Sequence, residues 1–230
     1  MIETRVPMVA RLSAEDRQEL YGHTNVLLDE KHFEGAGGLV MRDEVCVTIA
    51  AQAAVLLLHR DTEYFPRLTS IIVYPSGYVA PHQREDGGIW SEEDDYLEGH
   101  TQRDLRALVL AWDDVRAGTR DPSDGRNLIL HEFAHQLDFE DGATDGTPPL
   151  DSGAQARSWA AVFEEELAAL RRAADAGEAT LLDPYGAEDP AEFFAVATET
   201  FFECGAELAR RHPRLYAELQ RYFRQDPARW

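Results

Sequence analysis

One pentapeptide constrains the fold more than any other part of the chain. His131-Glu132-Phe133-Ala134-His135 follows Leu128-Ile129-Leu130 and precedes Leu137. Apolar residues spaced this way read as one turn after another of a buried helix. On a helix the two imidazoles stand on one face, about 6 Å apart along the axis, where they can meet a single metal ion. Glu132 projects to an adjacent part of the surface, close enough to act on water at that ion. Buried histidines without partners are costly. Two histidines on a buried helix therefore need a reason. A zinc site requires a third protein ligand, and a catalytic one keeps a fourth position open.

Three acids compete for the third position. Asp141 follows His135 by six residues, but that arrangement needs a sharp turn, and Asp138 occupies the place where glycine would permit it. Asp138 itself reads as an acceptor for a ligand histidine from behind, or as a helix-end residue. A more distant candidate is Glu192, in Asp189-Pro190-Ala191-Glu192-Phe193-Phe194-Ala195. Asp189 caps a helix with Pro190 at its first position, and the helix dipole favours a carboxylate in that first turn. The plain alternative for Glu192 is a solvated N-terminal acid. Glu199 lies on the same face seven residues later, an acid among Ala197, Phe201 and Phe202. It is a third ligand or a hydrogen-bond partner of a ligand histidine. The remaining histidines, at 23, 32, 59, 82, 100 and 212, show no partner at ligand spacing.

Elsewhere the pattern is α+β and mainly helical. Ser13 caps a helix with Leu20, Leu27 and Leu28 on its apolar face. Residues 33–38 are glycine-rich and read as a turn, and 43–59 as a long alanine-rich buried helix. The β-branched run 70–74 and the apolar run 107–112 read as strands, with Tyr78 and Val79 as a short extended piece. Residues 83–99 read as an acidic exposed loop. The 107–112 strand is either an edge that pairs with an extended substrate or an interior strand. Helices are expected over 123–139, with Ser123 or Asp124 as cap, and over 154–174. Two more are expected from Pro190 through Phe202 and from Pro213 to near Phe223. Residues 142–153 and 181–189 are loops.

The 230 residues can bury a substantial core without disulfides, and one domain over 1–230 is expected. Twenty-two basic against 43 acidic residues give a net charge of −21, with Lys31 the sole lysine. Such a surface disfavours nucleic acid and anionic membranes. No apolar stretch is long enough to span a bilayer, and Cys46 and Cys204 read as reduced thiols. The expected setting is the cytoplasm.

An ordered set of segments then resembles the Mlc titration factor A family of zinc metallopeptidases. Its markers are Phe33-Glu34-Gly35, Val47-Thr48-Ile49-Ala50-Ala51-Gln52-Ala53 and Ile71-Ile72-Val73-Tyr74-Pro75. They continue with 127–138, Tyr185, Asp189-Pro190-Ala191-Glu192 and Phe194-Ala195-Val196. The resemblance implies zinc on His131, His135 and Glu192, with Glu132 as general base and Tyr185, seven residues before Glu192, assisting. Asp138 and Glu199 would then support the ligands. It also implies a zincin-like fold, with a motif arrangement similar to the catalytic domain of anthrax lethal factor, and a peptide substrate of aminopeptidase or short-peptide type. An alternative implied role is to sequester a sugar-responsive transcriptional repressor.

Overall fold

The computed structural model describes residues 2–61, 63–77 and 106–230, together with the backbone of 99–102. Tyr78, Val79 and the acidic run 85–98 lie outside the described residues. Helices dominate, and one small sheet accompanies them. The chain opens with α1 (Ile2–Arg5) and α2 (Ala14–Glu30). Ser13 Oγ accepts the Asp16 N–H at 3.1 Å and fixes the start of α2. Strand β1 (His32–Gly35) follows, then α3 (Asp43–Val55), whose residues from Thr48 to Val55 are all buried. A helix apolar on every side belongs in an interior. It stops before residue 59: Leu56 to Leu58 form buried turns, and the His59 N–H is taken by Glu19 Oε1 at 2.7 Å.

The sheet has strand order β1-β2-β4-β3, with β2 (Ser70–Tyr74), β3 (Gly99–Gln102) and β4 (Ala107–Ala111). β1, β2 and β4 are parallel, and β3 runs antiparallel to β4. The turn expected over 33–38 is corrected here, and the alternative left open for 107–112 is decided. Residues 33–38 contain a strand, because β1 gains its register from β2, a pairing that no alternation within four residues reveals. Only Gly37 and Gly38 turn, both at positive φ. The 107–112 run is interior, flanked by β2 and β3, and Trp112 already begins α4 (Trp112–Arg120).

Helix α5 (Leu128–Asp138) carries the pentapeptide. It begins later than residue 123: Asn127 Oδ1 accepts the Leu130 N–H at 3.1 Å and is the cap. Asp121 and Asp124 instead bond amides two residues on, which keeps that segment in turns. After a loop come α6 (Gly153–Ala176), α7 (Pro190–Glu203), α8 (Gly205–Arg211) and α9 (Pro213–Phe223). α7 packs on α5 and is buried except for its first turn. Beneath α7 lies an aromatic core: Trp159 stacks on Phe163 with centroids 3.9 Å apart, and Phe194 meets Trp159, Tyr222 and Phe223. Each fully buried ring contributes about 1.5–3 kcal/mol. Buried α7 thus presents its N-terminus to α5 on a rigid base. Both cysteines are free thiols. Among the described residues no helix is long and apolar enough to cross a membrane.

Candidate metal centre

Three side chains converge where α5 meets the first turn of α7. His131 Nε2 lies 3.2 Å from His135 Nε2 and 3.0 Å from Glu192 Oε2, and His135 Nε2 lies 3.5 Å from Glu192 Oε1. Donors bound tetrahedrally at about 2.0–2.1 Å would stand about 3.3 Å apart, and the observed spacings bracket that value. Glu192 owes its position to Asp189, whose Oδ1 accepts the N–H groups of Ala191 and Glu192 at 2.8 and 2.9 Å.

The donor chemistry fits a cation. Glu199 Oε1 is 2.8 Å from His131 Nδ1. A carboxylate there accepts a hydrogen bond from Nδ1–H, so in the neutral ring the Nε2 lone pair is directed into the cluster. Without a cation the two ring nitrogens, 3.2 Å apart, both face the Glu192 carboxylate. Burial opposes charge on His131, but the hydrogen bonds that its ring donates to Glu192 and Glu199 outweigh it and push its pKa up to about 10. Burial likewise opposes the Glu192 carboxylate, and the two histidines override it and hold Glu192 far below the usual range. Glu132 is buried in the same cleft, and that burial raises its carboxyl above the ordinary range.

The cleft has a volume of about 470 Å³, and its walls include Asn127, Asp114 and Gly118 besides the converging residues. Tyr185 sits on a 3₁₀ turn (Pro184–Ala187) at its rim, its ring centroid 6.0 Å from that of His131. Asp183 accepts the Tyr185 N–H and pairs with Arg126 at 2.7 Å, which ties this turn to the segment leading into α5. Asp138 lies at the end of α5. Its Oδ2 accepts the Gly146 N–H at 3.0 Å, while its buried Oδ1 has no hydrogen-bond partner, and burial pushes the carboxyl up to about 6. Gly146, at positive φ, also accepts the indole N–H of Trp159, and a Cβ on it would collide with the Pro190 carbonyl. Asp141 is exposed and bonds the Ala143 amide.

A polar network behind the cluster escaped the sequence reading. Glu203 accepts the N–H groups of Gly125 and Arg126 at 3.1 Å each and the Asn127 side-chain amide at 3.0 Å. Asn127 also donates to Gln52 Oε1, and Gln52 donates to Thr119. The signal was present: Glu203 and Gln52 are polar residues inside apolar helices, the same anomaly that marked Glu199. A second group was also invisible along the sequence. Asp16, Glu19 and His59 bring one potential ligand atom each within 4.8 Å of the others, on the surface.

Over residues 1–224 the sequence matches the family described as glucose-regulated metallo-peptidase M90. The chain belongs to this family. The uncharacterized protein slr2042 of Synechocystis sp. is 40% identical to it over 224 residues, 97% of this chain and 82% of that protein. The Mlc titration factor A of Serratia proteamaculans is 30% identical over 228 residues, 96% of this chain and 85% of that protein. That of Yersinia pestis is also 30% identical, over 230 residues.

Proposed function

We propose that this M90-family chain is a zinc-dependent peptidase with a zincin-like fold, acting on short peptides or their amino termini in the cytoplasm. The observation that carries the reading is the convergence of His131, His135 and Glu192 beside buried Glu132 in one open cleft. The two histidines and Glu192 would hold the ion. Bound there, zinc supplies Lewis acidity to a peptide carbonyl and to water. Glu132 takes the proton of the attacking water on its carboxylate and passes it to the leaving amine. Tyr185 directs its hydroxyl to the oxyanion. Glu199 holds His131 at Nδ1, and Asp138 anchors the end of α5.

The test is Glu132→Gln assayed on aminoacyl arylamides and short peptides. The variant should retain metal and lose hydrolysis. Hydrolysis at the wild-type rate would remove Glu132 from the role of base.

The name Mlc titration factor A, borne by two of these relatives, supports a second reading, in which the chain binds a transcriptional regulator of the Mlc type. Co-purification with such a repressor, undiminished by Glu132→Gln, would separate that role from hydrolysis.

A further inference from the structure

α4 has two functional faces. Asp114, Ala117 and Gly118 line the metal cleft. By helical spacing, Trp112, Arg116, Thr119 and Arg120 fall on the opposite side, and all four line a separate groove of about 560 Å³. A neighbouring lobe of about 450 Å³ is lined mostly by apolar and glycine residues, among them Leu39, Val40 and Pro75. Trp112 and Glu44 border both lobes and join them.

The charge of this double groove runs against that of the chain. With a net charge of −21, four guanidiniums (Arg5, Arg42, Arg116 and Arg120) gather here around one carboxylate, Glu44, which Arg5 pairs. Arg42, Arg116 and Arg120 are exposed and make no ion pair or side-chain hydrogen bond among the described residues. Val40 is 70% exposed; the other large exposed apolar side chain among the described residues is Tyr185, at the rim of the metal cleft. An exposed aliphatic beside unpaired arginines and a half-buried indole has the composition of an interface centre.

We propose that this groove docks an acidic, partly apolar peptide segment of a protein partner. Its carboxylates meet the guanidinium forks of Arg42, Arg116 and Arg120, and an apolar side chain seats against Val40 and Trp112. A free phosphate would leave Leu39, Val40 and Pro75 without an apolar partner. An extended nucleic acid or an anionic membrane would also face the repulsive surface beyond the patch, whereas a short segment lies within about one Debye length, ~8 Å, of the arginines. The proposal stands independently of the peptidase reading.

A labelled synthetic peptide of alternating Glu and Leu, titrated into the full chain and followed by fluorescence anisotropy, tests it. Binding should weaken with salt and fall at least about tenfold in R116E/R120E. It should also fall in V40D and in R42E, the last a single change that checks the pair. R157E/R172E alters net charge equally on exposed positions of α6 and should bind like the wild type. Equal loss in both charge-reversal pairs would overturn the proposal. So would equal binding of a Gln/Leu peptide, displacement of the peptide by inorganic phosphate, tighter binding of a DNA oligonucleotide or of phosphatidylserine vesicles, or no binding at all.

Discussion

Glu199 grips His131 and the cap of its helix with one carboxylate. Oε1 lies 2.8 Å from His131 Nδ1, and Oε2 accepts the Asn127 N–H at 2.6 Å. A residue of α7 thereby fixes both the ring orientation of a ligand and the first turn of the helix that bears it.

Glu199→Gln should therefore weaken metal binding by roughly 10- to 100-fold, the usual cost of losing a partner behind a ligand. Competition against a chromophoric chelator measures it. An unchanged affinity would mean that the Glu199–His131 contact does not orient the ligand.

Glu192→Ala should leave the purified protein largely without metal, since three donors are the least that hold zinc firmly. Asp141→Ala should leave metal content unchanged. Elemental analysis of both variants distinguishes them, and the reverse result would restore the short-spacing ligand set.

Metal uptake should release a proton. Glu192 and Glu199 keep the metal-free His131 protonated up to about pH 10, and a ligand nitrogen must lose that proton to bind. Affinity should then rise by about tenfold per pH unit for one proton displaced between pH 7 and 9. Calorimetry in buffers of different ionisation enthalpy counts the protons, and a count of zero would contradict the assignment.

Glu203 should make stability fall as pH rises. Burial pushes its carboxyl up to about 8, despite the hydrogen bond from Asn127, while the unfolded side chain titrates near its ordinary value of about 4.3. Between these values the native state keeps a proton that the unfolded chain has lost. Its contribution is thus fully present below the lower value and lost towards the upper, by at most about 1.4 kcal/mol per pH unit. Denaturant midpoints across pH 5–8 should fall less steeply in Glu203→Gln than in the wild type.

The elements legible in the sequence were those whose signals are local. Asp189 with Pro190, Ser13 and Pro213 each mark a helix start by chemistry within one turn, and all three starts stand where expected. His131 and His135 were legible from their spacing on one helix, whereas Glu192 was singled out from Asp141 and Glu199 only through the family resemblance. The start of α5 was misplaced because Ser123 and Asp124 are equally good caps in isolation, whereas the segment is held in turns by Asp121 and Asp124 and by Glu203, distant in sequence. β1 was missed for the same reason, since its identity rests on β2. The groove on the outer face of α4 was hidden because its four arginines come from three separate stretches of chain.

Gly146 has a consequence for the range of ions the protein can serve. Its bare Cα lies against the carbonyl of Pro190, two residues before Glu192, while its N–H is held by Asp138 at the end of the histidine helix. The gap between the two donor-bearing helices is thus gauged by a residue with no side chain. Any added atom there would widen the bite, and a wider bite favours larger cations over zinc. The spacing of the three candidate donors is in this sense written in the loop, at a residue outside the donor set.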